Sequence, residues 1–266
     1  MFDRRELDDD VAAVRDEHAP EALVLDVAAD FETIPSAAAE DLGLFAEGLD
    51  PASYPGEWLP DDAPSALVAY AGSDFTVGMP GDGTVIWTRQ TVPPAVLVKQ
   101  RAAGTPAEFR RFLLAEAFVQ LGTDAPEHFL PFFGATYHEL DRAVPLGAGD
   151  VYQIAAALYD AWLGLQTRES FAAWENAHPR LFDAWADAGS RLEGRLSTLP
   201  RAVARGGTSF PEAAEYACAA IKHGLDLPAP FVALDTQAFV EYGAEYGVQW
   251  AEKTFEKLDA GADDES

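Results

Sequence analysis

The chain has 266 residues, of which 45 are aspartate or glutamate and 18 are lysine or arginine, so its formal net charge is −27. An apolar fraction of 48% is ample for a packed core and excludes a disordered chain. The charged N-terminus argues against a signal peptide, and no run of about 18 uninterrupted apolar residues is present to span a membrane.

Lysine is rare in this chain and occurs at four positions: Lys99, Lys222, Lys253 and Lys257. Carboxylates hold water and repel one another, which keeps a protein soluble in concentrated salt, whereas such salt drives apolar lysine stems together. The single cysteine, Cys218, excludes an internal disulfide and falls on the apolar stripe of a predicted helix. The composition therefore predicts a halophilic, acidic and cytoplasmic protein.

In chain order, residues 1–72 form an acidic N-terminal segment. The apolar pattern and the capping residues predict helices over residues 8–17 and 36–49 and a short strand over residues 22–27. Prolines recur between residues 50 and 64, so that stretch is predicted to be irregular.

Residues 73–104 form the predicted β unit. Two β-rich runs, residues 74–79 and 84–91, flank Pro-Gly-Asp-Gly at residues 80–83, which is a hairpin signal. Residues 95–101 are predicted to form a third strand, antiparallel to the second. We therefore expect a three-stranded antiparallel sheet.

Helices are predicted to dominate residues 105–260, and the tail, residues 261–266, is predicted to be disordered. Thr105 and Ser209 each open a Ser/Thr-x-x-Glu pattern, which predicts a capping box at the start of a helix. The expected fold class is α+β, predominantly α-helical, with the small three-stranded antiparallel sheet packed on a helical layer. Residues 1–260 are expected to form a single domain.

The first candidate site is a set of cations in the β unit, Arg89, Lys99 and Arg101. Lys99 and Arg101 are two residues apart, so on a strand both would project from the same face. Such a patch could hold a phosphate or a carboxylate, for which arginine offers a bidentate fork. The alternative, which stays open, is that these cations pair with nearby acids such as Asp74.

The second candidate site is the loop before a predicted helix, formed by Arg201, Arg205, Gly206, Gly207 and Ser209. Free N–H groups at a helix N-terminus bind anions, and two arginines stand close by in the sequence. Neither the Walker spacing nor the Rossmann spacing is present, so a plain connection between two helices is the alternative.

Catalytic and metal-binding patterns are weak in this sequence. His138 and Asp141 are three residues apart on a predicted helix, where a histidine–carboxylate pair or two metal ligands would share one face. No HExxH pattern, no Gly-x-Ser-x-Gly elbow and no cysteine ligand accompanies them. We therefore predict no metal and no cofactor, and a binding protein is favoured over an enzyme.

Three stretches of the chain resemble a known group of sequences. The run SDFTVGMPGDGTVIWTRQTVPPAVLVKQR at residues 73–101, with PEAAEYACAAIKH at residues 211–223 and QWAEKTF at residues 249–255, is similar to members of an uncharacterised family of haloarchaeal proteins. The resemblance covers most of the chain except the tail. It implies a halophilic source and a domain of unknown function, and it supplies no catalytic residue, cofactor or substrate.

The sequence favours a non-enzymatic cytosolic binding or interaction protein. It does not identify the partner, and both a protein partner and self-association stay open. One alternative is an enzyme or binder of a phosphorylated or carboxylated small molecule that uses Arg89, Lys99 and Arg101. A second alternative is a nucleic-acid binder that adds Arg110 and Arg111 to that patch, although counterion release contributes little to such binding in molar salt. No membrane partner is expected.

Overall fold

The structure is a computed structural model that describes residues 1–31, 33–72, 74–78 and 83–264. The chain forms two compact units. Unit 1 comprises residues 1–54, 65–128 and 169–185, and unit 2 comprises residues 55–64, 129–168 and 186 onward. The single domain expected over residues 1–260 stays a prediction.

The described strands all belong to unit 1. They are β1 (Phe2–Arg4), β2 (Leu23–Val27), β3 (Gly48–Leu49), β4 (Val85–Thr88), β5 (Thr91–Val92) and β6 (Ala95–Val98). Four of them form one mixed sheet in the order β1-β2-β6-β4, and β3 pairs with β5 separately. β2 and β6 run parallel, with Leu25 opposite Leu97, while β1 and β4 run antiparallel to their neighbours.

Helices make up most of the rest of the described chain. They are α1 (Asp9–His18), α2 (Ser36–Leu42), α3 (Ser65–Ala71), α4 (Ala107–Leu121), α5 (Phe129–Phe133), α6 (Tyr137–Ala143), α7 (Ala148–Ala177), α8 (Pro179–Leu196), α9 (Leu199–Ala204), α10 (Phe210–Ile221) and α11 (Gln237–Asp264). In the part of the chain that the structure describes, none of them is long and apolar enough to cross a membrane.

The central strands β2 and β6 of the sheet in unit 1 bury side chains on both faces. Strand β2 reads Leu-Val-Leu-Asp-Val and β6 reads Ala-Val-Leu-Val, and such nearly continuous apolar runs are typical of parallel strands covered on both sides. Val24 and Val96 share a buried cluster with residues of α1 and α4. Leu25 and Leu97 share a second cluster with residues of α2. Each fully buried leucine or valine contributes about 1.5–3 kcal/mol to stability.

The prediction of a three-stranded antiparallel sheet is wrong. Of its members, β4 and β6 do pair antiparallel, with Ile86 opposite Leu97. The other two strands of the sheet come from the N-terminal segment, including the strand predicted over residues 22–27. Described residues 74–78 form no strand, and Thr76 makes one isolated bridge with Thr33. The predicted turn falls largely on residues 79–82, which lie outside the described residues.

The two predicted capping boxes differ in outcome. The one at Ser209 is confirmed, since its hydroxyl accepts from the N–H of Glu212 while the Glu212 carboxylate accepts from the N–H of Ser209. The one at Thr105 is wrong, because α4 starts without a side-chain cap. The carboxylate of Glu108 is paired with Arg111 instead.

In unit 2, α11 is bent at Gly243. The backbone there has φ 47° and ψ −121°, a combination that side-chain-bearing residues avoid. In the turn before the bend, the Val240 carbonyl accepts a hydrogen bond from the indole of Trp162 at 3.3 Å. A Cβ at position 243 would lie 3.2 Å from the ring of Phe132, so glycine is required here for both conformation and space.

In unit 1, the end of α4 lies against the end of α1 at Gly122. A Cβ at this position would stand 2.6 Å from the carbonyl oxygen of His18, so the two helices can approach this closely only at a glycine. We expect Gly122→Ala to lower the free energy of unfolding by about 1–3 kcal/mol, because the backbones must separate.

Chemical denaturation of this variant would measure the loss. Gly104→Ala is the matched control, since a Cβ at residue 104 would meet nothing within 4 Å. Equal denaturation midpoints for the two variants would contradict the close approach of α1 and α4.

Candidate functional site

Arg89 lies directly after β4 and binds the end of α4. Its guanidinium donates hydrogen bonds to the carbonyl oxygens of Leu121 at 2.9 Å, Thr123 at 2.5 Å and Ala125 at 2.6 Å. It also lies 4.7 Å from the centre of the Trp87 ring. A cation is favourable at the C-terminal end of a helix, where carbonyl oxygens point outward. Arg89 therefore has a structural role in this unit.

Lys99 and Arg101 do not lie on a strand, so that part of the sequence prediction is wrong. Strand β6 ends at Val98. Lys99 is the extended residue that precedes the 3₁₀ helix Gln100–Gly104, and Arg101 belongs to that helix. Lys99 is buried, and its backbone N–H donates to the carbonyl of Thr84 at 2.8 Å. The Arg101 guanidinium donates to the carbonyl of Gly83 at 3.1 Å.

The strand register separates Arg89 from the other two cations. Thr88 is opposite Ala95 and Val85 is opposite Val98, so Arg89 and Lys99 extend from opposite ends of the β4–β6 pair. Four residues at about 3.3 Å each place those ends roughly 13 Å apart along the strands. A joint ligand site made of Arg89, Lys99 and Arg101 is therefore not favoured by the geometry, and it stays a prediction.

The second candidate site is the loop between α9 and α10, where several backbone N–H groups already donate hydrogen bonds within the protein. Arg201 belongs to α9 and Arg205 ends it. The N–H of Gly206, which has φ 68°, donates to Val203, and the N–H of Gly207 donates to Ala202. At Ser209, the Glu212 carboxylate accepts the backbone N–H, and this bond lowers the pKa of Glu212. Anion binding here stays a prediction, and any anion would meet that carboxylate.

The two histidines nearest in sequence lie in different settings. In unit 1, His128 is fully buried, with its ring centre 3.7 Å from that of Tyr70. In unit 2, His138 contacts the carbonyl of Glu57 at 2.7 Å through Nε2. Among the described residues, no group of three or more histidine, cysteine, aspartate or glutamate side chains is placed to hold a metal ion.

The structure contains a further candidate site in unit 2, a groove that we call the α11 groove. It has a volume of about 370 Å³. One wall is the segment Ala229–Ala233, and the other is the face of α11 that carries Tyr246, Gln249, Trp250, Lys253, Thr254 and Lys257. Apolar side chains and aromatic rings form most of the lining.

Hydrogen bonds hold the aromatic wall of the groove in place. The Tyr246 hydroxyl donates to the carbonyl of Ala233 at 2.7 Å, and the Trp250 indole N–H donates to the carbonyl of Pro230 at 3.1 Å. Behind the wall, the Trp250 ring packs beside Phe210 and Phe231. Since the polar tips bind backbone, the apolar faces of these rings keep a fixed position.

Lys253 and Lys257 lie at the rim of the groove, and both are exposed. They are one helical turn apart, so their side chains extend from the same face of α11. Within the described part of the chain, neither lysine forms an ion pair.

The other side of the same helix carries the opposite charge. Glu252, Glu256 and Asp259 of α11 line a separate pocket together with Glu139 of α6. The C-terminal half of α11 therefore has a cationic side on the groove and an acidic side away from it.

A comparison with protein families covers nearly the whole chain. A family model matches residues 1–258. The chain belongs to the family of unknown function DUF7089. This confirms the expected membership of an uncharacterised family. No curated protein and no solved structure matches this DUF7089 chain significantly.

Our sequence interpretation of this DUF7089 chain missed the α11 groove. Two signals for it were present: Lys253 and Lys257 are two of only four lysines, and they recur at a spacing of four residues behind Tyr246 and Trp250. The other wall could not be found in the same way, because nothing local in Ala229–Ala233 indicates that it faces α11.

The buried His128 makes a pH-dependent contribution to stability. Burial lowers its pKa to about 3, whereas an unfolded chain binds that proton near pH 6.5. Below pH 6.5 the unfolded state gains a proton that the folded state does not take up. The contribution is therefore complete above pH 6.5 and is lost as the pH falls towards 3, by up to about 1.4 kcal/mol per pH unit.

His128→Phe keeps a ring against Tyr70 but has no proton to bind. We therefore expect that, when the pH falls from 6.5 to 4, the free energy of unfolding decreases by about 2–3 kcal/mol less in this variant than in the wild type. Denaturant titrations at several pH values would measure this difference. Parallel profiles for the two proteins would contradict a neutral, buried imidazole.

Proposed function

We propose that this chain is a non-enzymatic cytosolic binding protein of an extreme halophile, and that the α11 groove is its binding site for a small molecule. The observation that carries the proposal is an apolar groove with hydrogen-bonded aromatic walls and two lysines at its rim.

The size and lining of the α11 groove support this proposal. Small-molecule sites commonly have volumes of about 300–1,000 Å³ and are lined by apolar and aromatic side chains with a few polar groups. The groove, at about 370 Å³, lies within this range. Its polar groups, which include Gln249 and the two lysines, are few and stand together on α11.

Rigidity of the walls is a second argument for binding. Trp250 is 5% exposed and is held on one side by the Pro230 carbonyl and on the other by neighbouring rings. A site whose walls are already ordered loses little conformational entropy when a ligand binds.

The groove is favoured over the cation sets that the sequence suggested. Arg89 and Arg101 donate to backbone carbonyl oxygens of the protein, as does Arg110, which binds the carbonyl of Ala102. Arg111 is paired with Asp8. Guanidinium groups engaged in this way are less available to a small anion or a nucleic acid than the lysines at the groove.

Filling the groove should abolish binding of a neutral apolar probe. We expect N-phenylnaphthylamine to bind the wild type with increased fluorescence, and to lose that signal in Ala233→Trp, because the indole would occupy an exposed position in the groove wall. The control is Ala186→Trp, which places the same side chain on an exposed position of α8.

The control variant should bind the probe as the wild type does, with about the same dissociation constant. If the wild type binds no probe, or if both tryptophan variants bind it equally well, the groove is not the binding site. Circular dichroism would verify that both variants keep the helical content of the wild type.

The halophilic part of the proposal rests on charge. A net charge of −27 produces self-repulsion that opposes the compact state, and the screening length falls from about 10 Å at 0.1 M salt to about 3 Å at 1 M. We expect the free energy of unfolding to rise by at least about 2 kcal/mol between 0.1 M and 2 M KCl. Thermal or urea denaturation across this series would measure it, and a flat profile would contradict salt adaptation.

A further inference from the structure

We infer that the ligand of the α11 groove is an anionic amphiphile, in which one carboxylate or phosphate head group binds Lys253 and Lys257 while an apolar body lies along the aromatic wall. This inference rests on the proposed function, namely that the groove binds a small molecule.

The spacing of the two lysines suits a single anionic head group. Residues four apart on a helix have Cβ atoms about 5–6 Å from each other, so two flexible ammonium groups can converge on the oxygens of one carboxylate. Gln249, one turn before Lys253, adds an amide donor to the same lining.

The helix itself does not neutralise these lysines. Lys257 has no acidic residue three or four positions away, and Lys253 has only Glu256. Two cations placed four apart repel each other slightly, which is unfavourable for the free protein. An anion held between them removes that repulsion.

The distribution of charge around α11 also favours anion binding on the side of the helix that faces the groove. Glu252, Glu256 and Asp259 line the pocket on the other side of the helix, and with Glu139 they outnumber the one basic residue of that lining, Arg142, so the pocket is less favourable for an anion. Because concentrated salt screens charges beyond about 3 Å, selection must come from direct contact. The two lysines at the groove can make such contacts.

The rest of the groove matches an apolar body. Val232 is 52% exposed although its side chain is apolar, and it lines the groove together with Trp250 and Tyr246. A ligand chain lying over Val232 would remove this surface from water. The site thus pairs a cationic end with an apolar floor.

The test compares two ligands with the same eight-carbon chain, octanoate and octanol, in competition with N-phenylnaphthylamine for the wild-type protein. We expect octanoate to displace the probe at a concentration about tenfold or more below that of octanol, because the carboxylate forms charge-assisted hydrogen bonds. In Lys253→Gln/Lys257→Gln this preference should disappear while the neutral probe still binds.

The matched control is Arg201→Gln/Arg205→Gln, which removes the same charge from two exposed positions also four apart in unit 2. This variant should keep the preference for octanoate. Lys253→Arg/Lys257→Arg, which restores both cations, should recover it.

The outcomes separate the two proposals. If the probe binds but octanoate and octanol compete equally, the anionic class is wrong while the groove remains a binding site. If the preference is lost in the Arg201/Arg205 variant instead, the anion binds at the α9–α10 connection, and the inference is overturned. If the probe does not bind at all, the proposed function fails and the inference fails with it.

Discussion

Unit 1 depends on the parallel pairing of β2 with β6. This ladder joins the acidic N-terminal segment to the β unit, and both strands bury apolar side chains on both faces. A parallel pair of this kind is stable only when helices cover it on each side, and here α1 and α4 share one buried cluster with it while α2 shares the other. The two edge strands are built onto this central pair: β1 pairs with β2 on one side, and β4 pairs with β6 on the other.

Cations are scarce in this chain, and several of its arginines bind oxygen atoms of the protein itself. Arg89 binds carbonyl oxygens at the end of α4, Arg111 pairs with Asp8, and Arg168 pairs with Asp235. A planar guanidinium can satisfy several oxygen atoms at once, which suits it to these positions. Lysine is a compact, strongly hydrated charge on a flexible stem. Its use at the rim of the α11 groove is consistent with a partner that comes from solution rather than from the chain.

In unit 2, the bend at Gly243 and the groove belong to the same helix. The bend separates the first turns of α11 from the longer segment that carries Tyr246, Trp250 and the two lysines. Trp162 and Phe132 pack at the bend, and the carbonyl oxygens of Ala233 and Pro230 accept from the two rings further along. The contacts at the bend and those along the groove together fix the position of α11 against the segment Ala229–Ala233. The proposed binding site is therefore part of the packed structure of unit 2.

The sequence by itself determined the predominance of helix, the strand over residues 22–27 and the capping box at Ser209, because periodicity and capping are local properties of the chain. Tertiary structure alone decided the strand partners. Residues 74–79 were predicted to form a hairpin with residues 84–91, yet residues 74–78 form no strand, and the second partner of β6 is β2, from far along the chain. The same holds for function. The candidate cations were visible in the sequence, but the register of β4 and β6 separates Arg89 from Lys99, and the fold of unit 2 brings Ala229–Ala233 against α11 to create the groove. Spacing along a chain reports which residues share a face, whereas the opposite wall of a site is supplied by packing.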